Sequence, residues 1–197
     1  MKKVAIIYHS AHGHTEFIAE QILAGIAAIP SIQGDLLHAP ALLKKTDVLL
    51  EYDGFILGSP TYFGGVSAPF KAFMDATGPL WRHQRLRGRL AAGFSVSSLA
   101  SGDKQSTLMS LFVFAMQHGL IWVGNPILPE QLNGIPEDEA ANRLGSWSGL
   151  MAQAEKASPG HAFVPGDIKA AQLFGTTFAH TLLRMQDTAD HKGEEVA

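Results

Sequence analysis

The chain contains no cysteine. This excludes disulfides, thiolate nucleophiles, thiolate-bound zinc and cysteine-held iron–sulfur clusters. Charge is also sparse: Asp, Glu, Lys and Arg make up 17% of the residues and the formal net charge is −3. Neither a general nucleic-acid surface nor a strongly acidic protein is indicated. No apolar run reaches membrane-spanning length, because Leu111 to Val123 is interrupted by Gln117, His118 and Gly119. The apolar segment after Met1-Lys2-Lys3 ends at Tyr8, short of a secretory h-region. The expectation is therefore a protein without nucleic-acid or membrane partners, in a reducing cytoplasm. What is present is core material: 46% of the 197 residues are hydrophobic, enough for one domain, expected over residues 1–185.

Strand and helix patterns alternate along that stretch. Val4 to Tyr8 reads as a buried strand, followed by a helix on which Ile18, Ile22 and Ile26 recur, with Ala19 and Leu23 beside them, until Pro30. Further strands are expected at Ile32 to Leu37, Asp53 to Gly58, Leu90 to Ser97 and Leu120 to Val123. Between them, Ser67 opens a helix with Pro69 in its first turn and Phe70, Phe73 and Met74 on one face, and Thr107 to His118 reads as a helix stopped by Gly119. This rhythm implies an α/β fold, a mostly parallel doubly wound sheet with helices on both faces. Residues 124–166, rich in Pro and Gly, break it; so long an excursion is expected to form an active-site wall or a subunit contact, with association into a dimer or tetramer. Asp167 is expected to cap a last helix with Ile168, Ala171, Phe174, Phe178 and Leu182 inward, and residues 186–197 to form a flexible tail.

In such a sheet ligands bind at the carboxyl ends of the strands, and three of those ends carry unusual sequences. The first is Ser10-Ala11-His12-Gly13-His14-Thr15, a small-residue turn leading into a helix. Free N–H groups and the helix dipole attract an anion there, and the hydroxyls of Ser10 and Thr15 add donors. It holds no Lys or Arg and matches neither a Walker loop nor a dinucleotide G-x-G-x-x-G. The second, Gly58-Ser59-Pro60-Thr61-Tyr62-Phe63-Gly64-Gly65, offers flat aromatic and backbone surface. The third, Ser95-Val96-Ser97-Ser98-Leu99-Ala100-Ser101-Gly102, offers hydroxyls and peptide groups. A ligand with a phosphate at one end and a planar heterocycle at the other, such as a mononucleotide flavin, satisfies all three.

Taken in order and spacing, Ser-x-x-Gly-His-Thr from Ser10, Gly-Ser-Pro-Thr-x-Phe-Gly from Gly58, Phe73-x-Asp75-x-Thr77-Gly78-x-Leu80-Trp81, and His118-Gly119 before a strand resemble the flavodoxin-like FMN proteins, and within them the WrbA-type NAD(P)H:quinone oxidoreductases. The resemblance covers Lys3 to Val123. It implies a flavodoxin-like five-stranded sheet, FMN as cofactor, NAD(P)H as reductant and a quinone-like acceptor. It further implies that Ser10 to Thr15 bind the FMN phosphate and that Pro60, Thr61, Tyr62, Phe63 and Gly64 line the isoalloxazine. Val96 to Gly102 would then hold its pyrimidine edge, with Ser95 also among the cofactor-binding residues; His118 would approach the ring and, with Trp81 and His12, border the substrate pocket. The third segment departs from the family's Gly-Thr-Gly-Gly-Gly pattern and contains no aromatic residue to cover the ring, so one flavin face is expected to stay open for a nicotinamide and then an acceptor in turn. A carrier that passes electrons without turnover of its own is the alternative.

The remaining candidates are basic. His9, His12 and His14 crowd the first turn, where a phosphate favours their protonated forms; with no carboxylate set beside them, they do not argue for a metal. Arg82, His83, Arg85, Arg87 and Arg89 form the dense basic run, either a solvated loop or an anion clamp for a dinucleotide phosphate or a neighbouring subunit.

Overall fold

The computed structural model describes residues 1–190. Strand β1 (Lys2–Tyr8) leads into helix α1 (His14–Ala27), and β2 (Ile32–His38) returns beside β1 in parallel register, Lys2 opposite Ile32. Two short 3-10 turns (Ala39–Leu42 and Thr46–Glu51) then carry the chain back past β1 to β3 (Gly54–Tyr62), parallel to it on the other side, Val4 opposite Gly54. The winding direction thus reverses between β1 and β3, which makes a crevice at their carboxyl ends. The third strand runs farther than its sequence suggests. Ser59, Pro60 and Thr61, expected as loop, are strand, with Pro60 opposite Val96. Tyr62 then pairs with Gly65 of a short antiparallel β4 (Gly65–Val66). Phe63 and Gly64 between them both have positive φ (50° and 73°), the backbone of a tight two-residue hairpin.

Helices α2 (Ala68–Ala76) and α3 (Gly78–Arg82) follow, then β5 (Leu90–Ser97) beside β3, and α4 (Lys104–Gln117), which starts three residues before the expected Thr107. Gly119, at φ 69°, ends α4. The fifth lane of the sheet is shared. β6 (Ile121–Trp122) pairs with the first residues of β5, and β7 (Leu150–Gln153) continues in parallel along its last residues, Phe94 opposite Leu150. The sheet order β2-β1-β3-β5-β6, with β7 on the same edge, is a flavodoxin-like doubly wound arrangement. The excursion is therefore an insertion that splits one edge strand.

One hydrophobic core lies between the sheet and helices α1 and α5 (Pro165–Asp190), the other between the opposite face and α2 and α4. Helices α1 and α5 approach so closely that a Cβ at Gly25 would meet the backbone of Gln172, and one at Gly175 the backbone of Ile22. On α5, Ala171, Phe174, Phe178 and Leu182 are buried and Ile168 packs against that core. The helix starts at Pro165, so Asp167 sits inside its first turn and does not cap it. Residues 186–190, expected in a tail, continue the helix; residues 191–197 lie outside the described residues. No helix among the described residues is long and apolar enough to cross a membrane.

Candidate functional site

A cavity of about 850 Å³ opens at the carboxyl ends of β1, β3 and β5, within the usual range for small-molecule sites. Its floor at β1 is formed by Ser10, Ala11, His12, His14 and Thr15. Gly13 adopts a left-handed φ of 84°, and a methyl there would come within 2.7 Å of the Pro159 Cγ. Gly13 thus shapes the turn and lets the excursion close over it, without lining the cavity itself. The first helical bond of α1 runs from Phe17 N–H to Gly13 O, leaving the N–H groups of His14, Thr15 and Glu16 ahead of it as donors. The Ser10 hydroxyl is buried with no hydrogen-bond partner among the described residues. A buried, unmatched donor beside a helix N-terminus fits a phosphate, and no Lys or Arg takes part in this floor.

The second segment supplies one wall through Pro60, Thr61, Tyr62, Phe63 and Gly64. Phe63 is fully exposed at the hairpin tip and Tyr62 is half-exposed, so two aromatic rings stand beside the cavity mouth. The Thr61 hydroxyl hydrogen-bonds the Ser95 and Thr107 hydroxyls at 2.8 Å each, which fixes the wall and engages that side chain internally. The Ser106 hydroxyl donates to Gly64 O at 2.6 Å and ties the hairpin to α4.

From the third segment, Val96, Ser97, Ser98, Leu99 and Gly102 line the cavity. Ser95 does not. It is fully buried and its hydroxyl donates to Ser59 O at 2.8 Å. Ala100 and Ser101 face a separate, smaller depression on the other side of the loop. Leu99 is largely exposed, and no aromatic side chain comes from this segment.

Four expected contributors lie elsewhere. His118 is buried at the end of α4, where its Nε2 meets the Thr77 Oγ1 at 2.9 Å and its ring packs on Phe114. Helix α4 starts at the cavity and runs back toward the start of β5, so its last residue sits at the opposite end of the sheet. Trp81, on α3, is half-exposed and likewise remote from the cavity. The Phe73-to-Trp81 motif and His118 thus form a structural joint within one chain. The basic run also precedes β5, at the amino ends of the strands. Arg89 donates to the carbonyls of Leu49 and Tyr52 at 2.9 and 2.6 Å, so within one chain the run does not clamp a ligand in the cavity. His9 turns away too, buried with its Nδ1 2.8 Å from the Ser67 hydroxyl; burial, then the neighbouring His38, holds its pKa below the ordinary value. His14 stays at the cavity, its Nε2 2.9 Å from Ala157 O.

The remaining wall, Gln153 to Ala157, and Asp103 at the head of α4 had no local signal in the sequence. The wall is anchored from behind. Asp167, nearly fully buried, accepts from Arg143 Nε at 2.9 Å, from Arg143 Nη2 at 3.2 Å and from the Gln153 N–H at 2.9 Å. A buried Arg–carboxylate fork that also holds a strand end fixes β7, and the residues that follow it, beside the cavity.

Comparison with known proteins agrees with this fold. The family described as "NADPH-dependent FMN reductase" matches residues 13–130, more than half of the chain. The chain belongs to that family of flavodoxin-like oxidoreductases. Among curated proteins, it is 30% identical to "Flavodoxin FldP" of Pseudomonas aeruginosa over 91% of this chain and 96% of the relative. It is 28% identical to an "NAD(P)H dehydrogenase (quinone)" of Chromohalobacter salexigens over 74% and 82% of the two chains. Among solved structures, the flavodoxin, WrbA-like protein from Agrobacterium tumefaciens matches with a TM-score of 0.70 and 28% identity, covering 93% of this chain and 99% of that one.

Proposed function

We propose that the chain binds FMN in this cavity and uses it to pass a hydride from NAD(P)H to a quinone or a similar planar acceptor. The observation that carries the reading is the convergence of the β1, β3 and β5 ends on one cavity, at the reversal of winding, over a buried Ser10 hydroxyl that lacks a partner. The first-turn N–H groups of α1, with Ser10 and Thr15, would hold the phosphate. Tyr62 and Phe63 supply flat apolar surface for a ring, and Ser97, Ser98 and Gly102 supply polar groups for its edge. When bound, FMN supplies the electron chemistry. The protein's part is to position the reactants and to keep one approach open, and the third segment brings no aromatic side chain across the mouth. Family membership and the quinone dehydrogenase relative support the enzyme reading.

A second reading is favoured by the likeness to FldP along almost the whole chain: an electron carrier without substrate turnover. Steady-state oxidation of NADPH with benzoquinone by FMN-loaded protein separates the two. Turnover well above that of free FMN supports the enzyme; turnover equal to free FMN sinks it. A protein that purifies colourless and does not quench added FMN would remove both readings.

A further inference from the structure

Lys104, the first residue of α4, is fully buried, directly behind the third cavity segment. Its ammonium donates to the Ser97 hydroxyl at 2.9 Å, to Leu99 O at 2.8 Å and to Ala100 O at 2.9 Å, so its donors are satisfied. Its charge is not. No ion pair joins it to a carboxylate among the described residues; Asp167 attracts it from α5, but Asp167 is already forked to Arg143, which repels it from the excursion. The amine also sits at the positive end of the α4 dipole, where a cation is disfavoured. Burial pulls its pKa down to about 8. A buried cation without a counter-charge costs stability, and loop carbonyls alone do not offset that cost. Negative charge in the adjoining cavity would, since Ser97 and Leu99, two of the three groups it contacts, line that cavity; the charged side chains already lining it, Asp103, Glu155 and Lys156, are solvent-exposed and form no ion pair with Lys104 among the described residues.

We propose that Lys104 is a positioning and charge-tuning residue: its buried ammonium holds the third segment in place and shifts the cavity's affinity toward a reduced, more negatively charged flavin, relative to the same site without the cation. This rests on the FMN reading above. The physical reason is that a buried charge, as Lys104 is, is screened less than a surface lysine. Its effect therefore falls mainly on the ligand state that carries added negative charge, raising the reduction potential of the bound cofactor relative to the same site without the cation.

The test compares wild type with Lys104→Met, Lys104→Gln and Lys104→Arg, measuring the dissociation constants of oxidised FMN and of anaerobically reduced FMN, and the midpoint potential. In Lys104→Met and Lys104→Gln, reduced FMN should weaken on the order of tenfold more than oxidised FMN, a fall in midpoint potential of about 30 mV for a two-electron couple. Lys104→Arg, which keeps the charge, should stay near wild type. Lys104→Gln retains donors for the loop carbonyls and answers the question if the methionine variant does not fold. Wild type supplies an independent readout. Its preference for reduced over oxidised FMN, relative to free FMN, should decline between pH 7 and 9.5 as the amine loses its proton, whereas Lys104→Arg shows no such decline. Equal weakening of both FMN forms, with the potential unchanged, would reduce Lys104 to a structural strut and overturn the inference while leaving FMN binding intact. Failure of wild type to bind FMN at all would instead overturn the functional reading on which it stands.

Discussion

Ser10→Ala separates a phosphate site from an ordinary capped helix because the two assign opposite consequences to the same hydroxyl. Its oxygen is buried and has no partner among the described residues, which costs the ligand-free protein about 1–3 kcal/mol of lost hydration. Replacing it with a methyl removes that cost. The apo protein should therefore keep or gain stability, by roughly 1 kcal/mol, or about 2–4 °C in Tm for a chain of this size. FMN affinity should move the other way. A hydrogen bond to a charged phosphate is worth about 1.5–3 kcal/mol, so the dissociation constant should rise about 10- to 150-fold. The assay pairs thermal denaturation of apo protein with titration of FMN fluorescence quenching. A variant with unchanged FMN affinity would refute the phosphate site. A variant whose apo form loses a kilocalorie or more would show that the hydroxyl has a structural partner in solution, and the argument from its isolation would collapse.

Three further outcomes follow from neighbouring features. Thr15→Val should weaken FMN by about 1–3 kcal/mol through an unmatched phosphate contact while far-UV circular dichroism stays native; an unchanged dissociation constant would count against the site. Arg143→Met leaves the Asp167 carboxylate buried without its partner and should cost about 3–5 kcal/mol in urea denaturation, with weaker FMN binding because β7 and the wall after it lose their anchor; a loss below about 1 kcal/mol would contradict that role. Burial holds the pKa of both His9 and His118 below 6.5 in the folded state, so below that pH the unfolded chain takes up protons that the folded one refuses. Stability should fall as pH drops through about 6.5, by up to about 1.4 kcal/mol per unit for each histidine, and level off at the folded values. His118→Gln should remove its share of that slope and leave FMN affinity unchanged, since the residue lies at the far end of the sheet. A large loss of affinity would restore it to the site.

What could be read from the sequence depended on how local its cause was. The expected strand Leu90 to Ser97 coincides with β5 because a central strand buried on both faces must be a continuous apolar run. Ile18, Ile22 and Ile26 gave α1 its inward face for the same kind of reason. The three strand-end segments were legible because glycine, serine and hydroxyl-rich turns mark where a parallel strand stops and a helix begins. Ser59 to Thr61 misled: small residues and a proline read as loop, but here Pro60 lies in a strand end where hydrogen bonding in the ladder gives way to the hairpin. His118 was misplaced because a motif fixes spacing along the chain, not the direction in which the helix carrying it runs.

The parts that stayed hidden are those created by contacts across long stretches of chain. Leu150-Met151-Ala152-Gln153 is too short and too mixed to announce a strand; it becomes one because β6 leaves the upper half of β5 unpaired and a buried edge must find hydrogen-bond partners. Once β7 fills that lane, the chain leaves the sheet at the cavity rim, and Gln153 to Ala157 become a wall with no aromatic or glycine-rich signature of their own. The same insertion supplies Arg143, whose fork to Asp167 fixes the exit of β7 and engages the acid that would otherwise neutralise Lys104. Splitting the edge strand therefore does two jobs at once: it builds the remaining wall of the cavity, and it leaves a buried positive charge behind the third segment. The three strand ends place the cavity, and the segment between β6 and α5 closes it and sets the charge behind it.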